Sequence, residues 1–214
     1  MPSSNYNNQV FFNCPFDGPY LNMFRAGIFG ILDAGFIPRC SLEVDNATQF
    51  RLTAIVEIIR DCRYGVHDLS RVELDPQFKL PRFNMPFELG VFYAAKHFGS
   101  TRQKLKQCLI VEKQKYRYQK FLSDIAGIDV SPHQNAQKKL ILAIRNWIVT
   151  ASRRTTIPHG QEIYDRFSTF QAGMRRACRQ RAIDYDSMPF VELVNNMTDW
   201  LRVNQLAHVP IFAP

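Results

Sequence analysis

Two stretches of this chain carry residue types that could do chemistry together. His67-Asp68-Leu69-Ser70-Arg71 ends an apolar run with an acid, a hydroxyl and a base. Asn84-Met85-Pro86-Phe87-Glu88-Leu89-Gly90 opens a helical pattern. Asn84 suits an N-cap, and Pro86 is tolerated in a first turn whose N–H groups lack partners. That start puts Glu88 in the first turn, where the positive end of the helix favours its ionised form. Gly90 would let the helix approach another backbone closely. The expected result is a fixed carboxylate facing the loop that holds Asp68 and Ser70. Such a group suits cleavage of a C1′–N bond, whose transition state resembles an oxocarbenium ion. A cationic nicotinamide departs without a proton. A purine or pyrimidine needs a general acid, for which Asp68 and His67 are the candidates. A plainer reading stays open: Glu88 only complements the helix dipole, and Asp68 and Ser70 make a strand-end turn.

These residues need a scaffold, and the hydrophobic pattern supplies one. Gln9–Asn13 is a compact apolar run followed by a turn signal at 14–19. Residues 20–34 have helical spacing, with Phe24, Ile28, Ile31 and Leu32 on one side, and Gly35 closes the helix at C′. Residues 36–40 form a second short run in which Pro38 marks an edge or a strand end. A helix over 48–60, a strand over 61–69, the helix Asn84–Phe98 and a strand over 107–111 follow. Residues 116–123 read as a short helix, 127–130 as a short strand and 135–150 as a helix. This alternation predicts parallel strands joined by crossover helices. The expected fold is therefore α/β: a flavodoxin-like, doubly wound parallel sheet of about five strands, with its ligand site outside the carboxyl ends of the strands. Residues 153–214 lack a strand pattern and read as a helical extension to an α/β domain over 1–152.

Charge is uneven. Residues 102–181 carry 17 basic and 5 acidic side chains, a net of +12, whereas residues 1–101 carry 9 and 10. Such a segment fits a protein partner, a second copy of the chain, a phosphorylated ligand or nucleic acid; a solvated helical surface explains it equally well. Within it, residues 113–120 interleave bases with aromatics, a pattern that can stack on single-stranded nucleic acid or form an amphipathic helix. No stretch approaches the ~20 apolar residues of a membrane span, and the polar start does not read as a signal peptide. The five cysteines lack paired spacing and read as buried thiols of a reducing cytosol; no metal site is expected. There is no Walker glycine loop and no G-x-G-x-x-G. The 39–46 loop, with Arg39 and Ser41, could contact a phosphate and ribose hydroxyls or be a polar turn. Arg71 is a further phosphate contact. Cys14 and His67 could form a thiol–imidazole pair if adjacent strands bring them together.

The combination Asp68-Leu69-Ser70, then Asn84-x-x-Phe87-Glu88-Leu89-Gly90, then small and aromatic residues through Ala94-Ala95, resembles the TIR-like and nucleoside 2-deoxyribosyltransferase-like superfamily. The resemblance covers roughly residues 9–112. It implies that Glu88 is the catalytic carboxylate and that Asp68 contacts sugar or base. It also implies that the loop with Asn13, Cys14, Phe16 and Asp17 lines the pocket, and that Asn84 and Phe87 flank Glu88 there. The activities it implies are NAD cleavage in bacterial immunity, deoxyribosyl transfer or hydrolysis in salvage, and nucleotide sensing without catalysis. For the first, NAD is substrate and no cofactor is needed; such enzymes are cytoplasmic and work as oligomers. Two departures stand out. The gap from Ser70 to Asn84 is long, holds Asp75-Pro76 and Pro81-Arg82-Phe83, and reads as a lid, a recognition loop or a surface insertion. The basic segment and the helical tail have no counterpart in a minimal salvage enzyme.

Overall fold

A computed structural model describes residues 5–44, 48–74, 77 and 79–205. Asp45 and Asn46 of the second loop, Asp75 and Pro76 of the long gap, and the apolar tail from His208 lie outside the described residues. The chain is α/β. Its strands are β1 (Gln9–Asn13), β2 (Ile37–Arg39), β3 (Tyr64–Asp68), β4 (Gln107–Glu112) and β5 (Val130–Pro132). All pair in parallel, in the order β2-β1-β3-β4-β5, which is flavodoxin-like. Pro38 lies in the edge strand β2, opposite Val10. A proline costs least there, since an edge strand needs fewer N–H donors.

Helices cover both faces. The strands alternate: Val10 and Phe12 face one way and Phe11 the other. On the first side lie α1 (Leu21–Asp33) and α4 (Gln137–Ser152). On the other lie α2 (Arg51–Asp61) and α3 (Asn84–Phe98), where Ile55, Ile58, Ile59 and Phe92 pack on Phe11. Helices α5 (Gly160–Gln180) and α6 (Phe190–Gln205) form a further layer outside α1 and α4. They share one hydrophobic core with the sheet.

That outer layer changes the reading of α1. Spacing suggests a helix with one apolar side; instead residues 23–31 and Asp33 are all buried. The Phe29 ring sits 5.5 Å from Phe167, 5.6 Å from Phe170 and 5.9 Å from Trp200. An apolar helix buried all round belongs in the middle of a stack. Its two buried charges are paired. Asp33 accepts from Arg166 Nε at 2.8 Å and Nη2 at 3.0 Å. Arg25, 2% exposed, reaches Asp186 at 2.8 Å and the carbonyl of Tyr185 at 2.6 Å. Gly35 does close α1, at φ 78°, its N–H donating to Leu32 O at 2.8 Å.

Several boundaries move. α2 starts at Arg51 and runs to Asp61, so β3 starts only at Tyr64. The short helix expected at 116–123 is two 3-10 turns, Arg117–Lys120 and Ser123–Ile125. β5 runs over Val130–Pro132, meeting the expected run 127–130 only at Val130. Among the described residues, no helix is long and apolar enough to cross a membrane.

Candidate active site

The strand order reverses between β1 and β3, and a crevice opens at their carboxyl ends. A cavity of about 520 Å³ lies there. The β1–α1 loop contributes Asn13, Cys14, Phe16 and Asp17. Ser41 follows β2, and Arg71 follows β3. The start of α3 adds Asn84, Phe87 and Glu88. Nine of the residues expected from sequence thus meet around one volume.

Glu88 is the chemical centre, for a different reason from the one expected. Asn84 is the first helical residue, and the N-cap position is Phe83, whose side chain makes no capping bond. Glu88 therefore falls one residue beyond the first turn, where the dipole is weaker. Burial governs it instead. Desolvation raises its carboxyl from the usual 4.5 to about 7, against the opposing pull of Arg51. Near neutral pH both protonation states are populated. Gly90, two residues on, points into open space, so it does not mediate a close backbone approach.

Asn13 ties the pieces together. The register places it opposite His67. Its amide donates to His67 Nδ1 at 3.1 Å and to Met85 O at 2.8 Å. One buried side chain thereby joins β1, β3 and the opening turn of α3. The contact leaves the His67 ring proton on Nε2, a buried atom with no partner among the described residues. Burial, then Lys106, pushes His67 down to about 3, so the ring is neutral. It is wedged edge-on between Phe11 and Phe92, 5.9 and 5.0 Å away. His67 does not line the cavity, which removes it as a general acid there. The thiol–imidazole pair also fails. His67 Nδ1 is taken by Asn13, and burial pushes the Cys14 thiol well above its usual range.

Asp68 is not brought into the cavity either. It is wholly buried. Its Oδ1 accepts the Ser70 N–H at 2.8 Å, and its Oδ2 accepts the Tyr20 hydroxyl. His133 Nε2 stands 3.1 Å from the same Oδ2, off the hydrogen-bond direction. Burial and the Asp68 charge push the Tyr20 hydroxyl well up, so it stays a donor. The strand-three acid thus anchors the floor beneath the crevice. Ser70 goes with it, away from the Glu88 cavity. Arg39 is spent on its own turn, with Nε 2.6 Å from Glu43 and Nη1 on Gln9. Glu43 in turn accepts the Cys40 N–H at 2.8 Å. The 39–46 loop is, at Arg39, a polar turn.

Among the lining residues not assigned from the sequence are Arg51, Arg82 and Met85. Arg51 opens α2, with Nη2 donating to Ser41 Oγ at 3.1 Å. Arg82, exposed, comes from the long gap, and Met85 forms part of the apolar wall. The signal for Arg51 was present: in this strand order the helix after β2 begins at the same edge of the sheet. With Arg71 these make three guanidiniums around a cavity whose lining carboxylates are Glu88 and Asp17. Asp17 is engaged by Arg71 Nε at 2.8 Å. The arrangement can hold an anionic ligand beside one carboxylate of tunable charge. Among the described residues, no group of three His, Cys, Asp or Glu side chains could hold a metal ion. Compared with family models, with curated proteins and with solved structures, the chain finds no match in any of the three, so the geometry alone carries the functional reading.

Proposed function

We propose that this chain is an N-glycosidase of the TIR-like and deoxyribosyltransferase-like kind, cleaving the C1′–N bond of a nucleotide, NAD foremost. Its setting would be that of an effector in bacterial immunity. The observation that carries the reading is Glu88: a half-buried carboxylate, raised to about 7, in a cavity ringed by Arg51, Arg71 and Arg82. The guanidiniums bind phosphate. Ionised Glu88 stabilises or attacks the anomeric carbon as the C1′–N bond breaks. Neutral nicotinamide leaves with the bonding electron pair. Water supplies the new C1′–O bond and releases one proton.

The absence of Asp68 and His67 from the cavity lining weighs against a salvage reaction. A purine or pyrimidine leaving group needs a proton donor beside the base. Nicotinamide does not, which favours NAD. The test is product analysis of Glu88→Gln, a substitution that keeps shape and removes charge. Nicotinamide release is expected to drop about a hundred- to a thousand-fold, comparable to losing a main electrostatic stabiliser. Unchanged turnover would sink the assignment. Thermal stabilisation by NAD with no product from the unsubstituted chain would point to a sensor instead.

A further inference from the structure

We propose that the site takes a two-part ligand, a dinucleotide whose linking phosphates rest on Arg71. One nucleoside would occupy the Glu88 cavity and the other an adjoining cavity. The proposal rests on the nucleotide reading above and extends it to a second chamber. That chamber, of about 340 Å³, is lined by Tyr20, Asn22, Ser70, Lys113 and Asn135, among others. It accounts for Ser70, which the first cavity does not use. Asp17 and Arg71 are the residues that line both volumes, so their ion pair forms the partition.

The partition is incompletely satisfied. Arg71 Nε lies 2.8 Å from Asp17 Oδ2, yet that oxygen is buried without an aligned hydrogen bond. Among the described residues, the Nη groups of Arg71 have no ion-pair partner, and its side chain is 39% exposed. A guanidinium fork with spare donors matches the oxygens of a phosphate. Charge is graded around it. Arg51 and Arg82 stand on the first side; on the second stand Lys113 and Glu73, the latter paired with Arg117 at 3.4 Å. Both volumes fall within the ~300–1,000 Å³ range of ligand pockets. A mononucleotide would leave one of them unused.

The test is calorimetric titration of the full chain carrying Glu88→Gln, with NAD and with nicotinamide mononucleotide as probes. Lys113 is half-buried, and among the described residues its side chain has no hydrogen bond or ion pair, so Lys113→Trp fills the second chamber at little structural cost. That variant is expected to bind NAD about ten-fold or more weakly, while mononucleotide binding stays within about two-fold. Arg71→Ala is expected to weaken NAD by a similar factor. If Lys113→Trp leaves NAD affinity unchanged, or weakens both probes equally, the spanning arrangement is overturned while the nucleotide reading stands. If neither probe binds the chain with Lys113 intact, the nucleotide reading itself falls and takes this proposal with it.

Discussion

At the scale of the residue, Glu88 links function to stability. Its carboxyl titrates at about 7 in the folded chain and 4.5 outside it, so the folded state holds the proton more tightly. The stability this confers is full below about 4.5 and is lost as pH rises through about 7. Glu88→Gln removes that loss. Its melting temperature is expected to exceed that of the parent at pH 8, by on the order of 1–3 kcal/mol of stability, and to match it near pH 4.5. Catalysis has the opposite slope. If ionised Glu88 serves the anomeric carbon, kcat/KM for NAD rises with pH through about 7 and then flattens. A fall over that interval would make Glu88 an acid and reverse its role. Asp68 teaches a contrasting lesson. As an acid ending a strand it reads like a pocket residue, but Tyr20, 48 residues earlier, donates to one of its oxygens and the Ser70 N–H to the other.

At the scale of the element, α3 depends on β1. Asn13 holds the carbonyl of Met85 and the ring of His67 at once. Asn13→Ala is expected to cost about 1–3 kcal/mol, since two buried acceptors lose their donor. It should also lower kcat/KM more than thermal stability alone explains, because Glu88 rides on the turn that is released. Equal activity at a lowered melting temperature would show that α3 is positioned by packing alone. The element order was legible in the sequence, because short apolar runs and helical spacing alternate up to α4. The site was legible in part. Glycine and proline signals located the loops after β1 and β3, and with them most of the lining. What could not be read were the directions of side chains whose partners lie far away. Arg39 turned to Gln9 and Glu43, and His67 was enclosed by Phe11 and Phe92. Arg51 escaped notice because an arginine opening a helix has no local signature; only the strand order brings it to the crevice.

At the scale of the molecule, the basic middle of the chain proves partly internal. Lys106 is buried on the carbonyls of Ile59 and Cys62, the first at 2.6 Å. Arg117 clasps buried Glu112 at 2.5 Å, and Arg166 holds Asp33. Arg145 donates to Pro158 O at 2.7 Å. Part of the +12 of residues 102–181 thus fastens layers together, while Lys138, Lys139, Arg175, Arg176, Arg179 and Arg181 remain outward. The stack also makes the helical extension integral to α1. A chain ending at residue 152 would expose the outward face of α1 and strand Asp33 without Arg166. Losing one partner of a buried ion pair costs about 3–5 kcal/mol by itself, and the uncovered aromatic surface adds to that. Such a chain is expected to lack a cooperative thermal transition; a sharp melt with intact near-ultraviolet dichroism would show that the first part folds alone. The separation of Asp33 from Arg166, 133 residues, bears on how the protein is made. On the ribosome α1 emerges early, and its outer wall stays wet until Phe167, Phe170 and Trp200 have been made. Throughout that interval an apolar surface that includes Phe29 is available to chaperones, and to neighbouring nascent chains, before its own covering exists.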